Sequence, residues 1–447
     1  MSDRITPRTL KGFRDYPPAM MIPREWIIET ARRVYRLYGF SPIDTPALEH
    51  LEILIGKGSD ETDKQLYRFE DHGGRPVGMR FDLTVPLARF VAQNIQDLGT
   101  PFKRYHIANV WRGENTQRGR YREFMQCDFD TIGTTSLSAD IEMVLVINDL
   151  LTALDVGGFT IHVNHRGLLN GLLEKLGLAD QATAVLRSLD KLAKIGAEGV
   201  SKELRSAASA TDSQIEQLLK LSSLEGSNDE MLAEAEKLVI GSPVGERGVA
   251  QLRELIGSVT TTLSSEAMGR IRFAPSICRG LDYYTGIVVE TTLDDLPEIG
   301  SVASGGRYDN LANLFTSQEL PGVGASLGLD RLLAALEELG RLEQVHTPAE
   351  VFLPFFDSDR RNEYLSLAAR LRAAGMGVEF FPDAKKLGKQ LQYANRRGFR
   401  VALILGNDEF TSGECQVKNL ATGESQTVAR GDDDAKLIAA VRCILQS

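Results

Sequence analysis

The sequence predicts an α+β fold, with an antiparallel-sheet core interrupted by a helical insertion and followed by a separate C-terminal α/β domain. Three observations carry this expectation. Residues 105–111 and 124–132 have strand character and flank a polar, glycine-containing stretch at 113–120, the pattern of a long hairpin with a basic tip. Residues 167–265 turn rich in Leu, Ala, Glu, Ser and Lys at helical spacing. Beyond residues 342–350, which read as a linker around His346 and Pro348, short strand-like runs alternate with helical ones.

Along the chain, residues 20–39 form an amphipathic helix, with Trp26, Ile27, Thr30, Val34, Leu37 and Tyr38 near helical spacing and Gly39 at its stop. Pro42 and Pro46 then force an extended segment. After the hairpin, residues 162–164 alternate as a short strand. Strand character returns at 273–278 and 285–291, and 327–339 has the apolar spacing of a buried helix behind a glycine-rich approach. In the tail, strands are expected at 351–355, 378–381 and 401–405, helices at 361–374 and 386–397, and a hairpin at 416–420 and 425–429. A mostly parallel sheet would accommodate that alternation.

Composition narrows the class. A chain of 447 residues with ordinary apolar content calls for two or three domains. Cys127, Cys278, Cys415 and Cys443 stand far apart, which suggests neither a disulfide framework nor a thiolate zinc site and fits a reducing cytoplasm. The first ten residues are polar and no run of about eighteen apolar residues occurs, so neither export nor membrane insertion is expected. A net charge of −10 argues against indiscriminate nucleic-acid binding, yet two basic patches stand out. One comprises Lys103, Arg104, Arg112, Arg118, Arg120 and Arg122, the other Lys385, Lys386, Lys389, Arg396, Arg397 and Arg400. Either a phosphate-gripping surface or an ordinary solvated face would produce such a run.

The chemistry concentrates in a few strings. Arg279-Gly280-Leu281-Asp282-Tyr283-Tyr284-Thr285-Gly286 and Ser304-Gly305-Gly306-Arg307-Tyr308-Asp309-Asn310 each set a fixed cation beside glycines and tyrosines, which suits a small zwitterion next to a phosphate. A strand and turn with core tyrosines would look the same. Arg112-Gly113-Glu114 and the run from Arg120 to Phe124, followed by Gln126 and Asp130, would share a hairpin face by period-two alternation. An arginine there can stabilise charge on a reacting phosphate, although Arg112 and Glu114 also fit a structural ion pair. Residues 322–331 are glycine-rich and end in Arg331, but they miss both the dinucleotide-binding spacing and the P-loop pattern. His162 and His165, without a third ligand, read as structural rather than metal-binding.

In their order, these strings resemble the class II aminoacyl-tRNA synthetases and, among them, the histidyl-tRNA synthetases. Lys11-Gly12-Phe13-Arg14-Asp15 is similar to that family's N-terminal string, and the helix to Gly39-Phe40 with Pro46 and Glu49 to its dimer-forming motif 1. Residues 112–133 resemble motif 2, residues 324–331 resemble motif 3, and the Arg279 and Ser304 runs resemble the two strings peculiar to the histidine enzymes. The resemblance implies a class II catalytic core at 1–166 and 266–341, an insertion at 167–265, a linker at 342–350 and an anticodon-binding domain at 351–447.

It also implies roles. Arg112 and Arg279 would be catalytic, both at the α-phosphate, while Glu114 receives the adenine amino group and Arg331 meets the γ-phosphate, with Arg120 also in the ATP site. Asp82 and Thr84, at i and i+2 on one strand face, would hold the histidine ammonium. Asp130 and Tyr284 would meet the imidazole, with Gln126, Tyr283 and Arg279 completing the amino-acid site. Arg279 as a buried partner of Asp282 or Glu290, and Asp130 as a turn residue, are the bland alternatives. The implied substrates are L-histidine, ATP with Mg2+ and tRNA(His), the implied assembly a cytoplasmic homodimer, and no zinc is expected. The insertion would be a lid or tRNA clamp. A catalytically silent, histidine-sensing regulatory paralogue is the alternative function, and a class II synthetase for another amino acid a more distant one.

Overall fold

The computed structural model describes residues 4–55, 60–264, 267–277, 284–342, 346–431 and 433–446, and the chain divides into two compact units, 1–14 with 27–341 and 15–26 with 342–447. In the first unit eight strands form one sheet. They are β1 (Ser41–Pro42), β2 (Phe102–Trp111), β3 (Glu123–Ile132), β4 (Phe159–His165), β5 (Ile271–Phe273), β6 (Ile287–Leu293), β7 (Ala303–Tyr308) and β8 (Gly322–Gly328). Their spatial order is β1-β2-β3-β8-β7-β6-β4-β5. All central pairings are antiparallel, and parallel pairs occur only at the edges, β1 with β2 and β4 with β5.

The hairpin forms as the alternation requires, with Phe102 opposite Ile132 and Trp111 opposite Glu123. Tyr105, Cys127 and Phe129 are buried against Tyr35 and Phe40 from the segment of the helix Pro18–Leu37 and its exit. Burying each such side chain contributes about 1.5–3 kcal/mol. Two expectations need correction. Residues 322–328, read as a glycine-rich approach to a helix, are the central strand β8; the helix itself is Leu329–Glu338. The strand expected at 273–278 ends at Phe273, before Pro275.

Among the described residues, six α-helices fill the insertion, Arg166–Lys175, Ala182–Leu189, Leu192–Ala207, Asp212–Ser222, Asn228–Val239 and Pro243–Thr262. Thr211 with Gln214 and Ser227 with Glu230 make reciprocal capping boxes, which satisfy amides that the first helical turn leaves unpaired. The last helix packs on β4 and on the helix Leu137–Ala153, so this part of the insertion belongs to the core.

The second unit carries a five-stranded sheet of β9 (Val351–Leu353), β10 (Val378–Phe380), β11 (Val401–Ile404), β12 (Glu414–Asn419) and β13 (Ser425–Ala429), in the order β10-β9-β11-β12-β13. It is half parallel and half antiparallel rather than mostly parallel, because the hairpin β12–β13 extends one edge. Val351, Leu353, Tyr364, Leu367, Leu403 and Val441 form its core.

Candidate active site

A cleft of about 210 Å³ in the first unit is lined by Arg112, Glu114, Arg120, Gln126 and Arg331, together with Ser304 and Ser326. Residues from the hairpin and from the helix after β8 thus meet, as the sequence led one to expect. Arg112 lies just past the end of β2, not on an alternating strand face. Its Nε donates to the Phe81 carbonyl at 3.0 Å, and its guanidinium stands 4.4 Å from the Phe81 ring and 5.0 Å from the Phe124 ring. Stacking and the hydrogen bond fix a cation that cannot be neutralised near physiological pH. Glu114 and Arg120 approach to 4.0 Å, and Arg331 donates to the carbonyl of Ser301.

The N-terminal string closes one end. Arg14 donates to the Tyr121 hydroxyl at 2.8 Å and pairs with Asp330 at 3.2 Å, while Asp330 also accepts from the Met125 amide at 2.8 Å. The backbone amide of Arg122 donates to the Gly12 carbonyl. The hairpin tip is therefore strapped to the helix that carries Arg331.

Asp82 and Thr84 do not share a strand face. Thr84 is the first residue of the helix Thr84–Leu98, and the Asp82 carboxylate accepts from the amides of Thr84 at 3.0 Å and Val85 at 2.8 Å. An aspartate two residues before a helix satisfies its orphan amides better than strand pairing would. Glu49, from the motif 1 string, is buried and pairs with Arg89 of that helix.

Deeper in the sheet, β3 presents Gln126, Asp128 and Asp130 on one face. The directly opposed residues are Ala108, His106 and Arg104 on β2, and Gly328, Ser326 and Gly324 on β8. Asp130 is buried, with Oδ2 2.7 Å from Arg104 Nη2 and Oδ1 accepting from the Tyr308 hydroxyl. It is a strand residue rather than a turn residue. Burial raises its carboxyl above the usual range, and Arg104 opposes that shift. Asp128, missed in the sequence reading, is pushed up to about 7, first by burial and against the pull of Arg104. His106 is held down to about 4 by burial and by Arg104 and Arg80, with Nε2 2.9 Å from Asp44. Period-two spacing from Gln126 through Asp128 to Asp130 was the signal that could have found Asp128.

Gly306 and Gly324 pair directly across β7 and β8. A Cβ on Gly324 would lie 2.2 Å from Asp130 Oδ1, and one on Gly306 would lie 2.9 Å from the Tyr284 ring. The two glycines let that carboxylate and that ring lie flat against the sheet. Arg279 and Tyr283 lie outside the described residues.

Several expected ligand contacts go elsewhere. Arg307, read as a cation beside a ligand, points to the other side of β7, where it binds Asp140 through Nε and Nη2 and Asp309 through Nη1. Tyr308 is committed to Asp130. The basic patch at 103–122 is not one surface, since Lys103 pairs with Glu142, Arg118 with Glu338, and Arg104 is fully buried. His162 contacts Thr292 at 3.0 Å, and His165 contacts Gln251 at 2.8 Å and accepts from the Gly167 amide, so both rings serve the fold. In the second unit Phe399 is buried, and Tyr393 packs on Phe352 while donating to Glu379.

Comparison with known proteins follows the same lines. Residues 12–332 match the family described as histidyl-tRNA synthetase, and residues 351–439 match the anticodon binding domain. The chain is 61% identical over 426 residues to a histidine–tRNA ligase of Rhodopirellula baltica, covering 95% of this chain and 96% of that one. It is 46% identical to a histidine–tRNA ligase of Wolinella succinogenes, covering 94% and 96%. The crystal structure of a histidyl-tRNA synthetase from Nostoc sp. PCC 7120 superimposes with a TM-score of 0.89 at 34% identity, over 98% of this chain and all (100%) of that one. With the extent of these matches and the conjunction of motif 2 and motif 3 residues at one cleft, the chain belongs to the histidyl-tRNA synthetase family.

Proposed function

We propose that this protein activates L-histidine with ATP, releasing pyrophosphate, and passes the histidyl group from the adenylate to the 3′ end of tRNA(His). The observation that carries the reading is the convergence of Arg112, Glu114, Arg120 and Arg331 on a single cleft that Gln126 also lines. In this account the histidine carboxylate attacks the α-phosphorus in line with the departing pyrophosphate. Arg112, held by Phe81, stabilises the charge that builds on the α-phosphate. Arg279 acts at the same phosphate, Glu114 accepts from the adenine amino group, and Arg331 holds the γ-phosphate. Arg120 flanks the phosphates. Tyr284 and Asp130 form the imidazole end, with Tyr283 beside them, and Asp82 and Thr84 serve the ammonium from the start of their helix.

Mg2+ enters with the phosphates in this scheme. Glu114 stands near Arg120 and Asp330 is engaged by Arg14, so the cleft's acids suit an ion shared with ATP better than a dedicated protein cage. A homodimer is supported by Leu37, Leu48 and Phe69, large apolar side chains left 77%, 44% and 48% exposed around motif 1. Among the described residues no helix is long and apolar enough to cross a membrane, in keeping with the cytoplasmic setting proposed. A silent histidine sensor would need neither a cleft lined by Arg112, Arg120 and Arg331 nor a unit that matches the anticodon binding domain, and this chain has both.

The second unit supports the tRNA step. Lys385 and Lys386 precede the helix Leu387–Arg397, from which Lys389 and Arg396 are exposed. Replacing Lys386, Lys389 and Arg396 together by Ala should raise the KM for tRNA(His) roughly tenfold or more by loss of phosphate contacts. Histidine-dependent exchange of pyrophosphate into ATP should stay unchanged. Charging assays beside exchange assays test this, and an equal loss in both would remove the helix from tRNA binding.

A further inference from the structure

Glu114 and Arg120 stand on the tip of the β2–β3 hairpin, whereas Arg331 stands on the helix Leu329–Glu338. The width of the cleft therefore depends on how the tip is held against that helix. The tip braces itself weakly. Beyond the hydrogen bond from the Arg112 amide to the Arg122 carbonyl, its described backbone pairing is one isolated bridge, Gln117 with Arg120. Further anchors come from outside the hairpin: the Gly113 amide donates to the Gln65 carbonyl at 2.7 Å, and the Arg122 amide to the Gly12 carbonyl at 2.9 Å. Gly119 rests on the helix itself, where a Cβ would lie 3.2 Å from Arg331 Cα.

Two arginines link tip and helix by charge. Arg118 pairs with Glu338 at 2.9 Å, but their side chains are 57% and 36% exposed, and such a surface pair holds little. Arg14 is better placed. Its guanidinium lies 4.0 Å from the centre of the Tyr121 ring, donates to the Tyr121 hydroxyl at 2.8 Å and reaches Asp330 at 3.2 Å. Asp330 is only 2% exposed, so water screens this charge-assisted hydrogen bond poorly. Asp330 directly precedes Arg331, and its other oxygen accepts from the Met125 amide of β3. Tyr121 and Asp330 line the cleft, while Arg14 is not among the described residues that do. Gly12, at φ +86°, permits the close approach, since a Cβ there would lie 2.7 Å from Arg122 Cγ.

We infer that Arg14 is a positioning residue for ATP, clamping the hairpin tip through Tyr121 and the motif 3 helix through Asp330 so that Glu114, Arg120 and Arg331 stand at the spacing one nucleotide spans. Without the clamp, ATP binding must itself order the tip, and that cost weakens ATP while leaving histidine, held farther along β3, largely unaffected. The assignment rests on the reading of the cleft as a histidine-activating site.

The test compares the full-length protein with its Arg14→Ala variant in histidine-dependent pyrophosphate exchange. The KM for ATP should rise about tenfold, with the KM for histidine within about twofold of normal. Arg14→Lys, which can still reach Asp330 as a point charge but cannot stack and fork as a guanidinium does, should recover part of the loss. An unchanged KM for ATP in Arg14→Ala would overturn the inference. So would an equal rise in both KM values, which marks a general structural defect, or a fall in kcat with both KM values unchanged, which moves Arg14 into the chemical step. Should the Ala variant fail to fold, Arg14→Lys carries the test alone: a rise of about threefold for ATP only is expected, and an unchanged KM for ATP or an equal rise for histidine overturns the assignment. Wild-type protein without histidine-dependent exchange would instead refute the underlying reading of the cleft.

Discussion

Arg112→Ala is expected to lower the rate of histidyl-adenylate formation by about 10²–10³-fold, the loss associated with deleting one preorganised donor at a site of developing charge. The cause is positional. Arg112 is held by the Phe81 carbonyl and by the faces of Phe81 and Phe124, so its charge needs no reorganisation as the phosphate reacts. Arg112→Lys keeps the charge but loses the planar fork and the stacking, and should recover only part of the rate. Single-turnover adenylate formation at saturating ATP and histidine measures the step. A change of less than about threefold in the Ala variant would make Arg112 a structural residue, since one well-placed donor is worth far more.

Arg307→Ala is the substitution expected to cost the fold most, about 3–5 kcal/mol, because it strands a buried carboxylate. Asp140 is 1% exposed and receives three hydrogen bonds from the Arg307 guanidinium, while the same guanidinium donates to the carbonyls of Thr134 and Ser136. Asp309 links this node to Thr285, so the two strings read from the sequence as ligand-facing are also knit together by it. The double variant Arg307→Met, Asp140→Leu should restore much of the loss, since apolar replacements of a buried pair are often neutral. Chemical unfolding of the three proteins gives the comparison. Loss below about 1 kcal/mol in Arg307→Ala would show that Asp140 finds water or another partner.

These two arginines also mark where sequence reasoning works and where it stops. The β2–β3 hairpin was legible because its alternation is local and ends at a polar turn. Strand β8 was not, because Gly322, Gly324 and Gly328 carry no strand propensity. Glycine is required there by neighbours across the sheet, such as the Tyr308 ring that a Cβ on Gly322 would meet at 2.4 Å. Asp82 and Thr84 were set on a strand because their spacing fits period two, but a helix start two residues on uses the same aspartate as a cap. The cleft arginines and Glu114 were readable from motif order. The partners of Asp130 were not, since Tyr308 lies 178 residues away and only the register of β3, β8 and β7 brings it close. Arg307 looked like a ligand cation for the converse reason. One residue of register decides which side of a strand it faces.

The central claim is that this cleft makes histidyl-adenylate, and exchange of pyrophosphate into ATP with each of the twenty amino acids in turn, without tRNA, tests it most directly. Exchange with histidine alone, abolished in Arg279→Ala while histidine binding persists, is the result the account requires. Exchange supported by another amino acid, or histidine binding with no exchange at all, would contradict it.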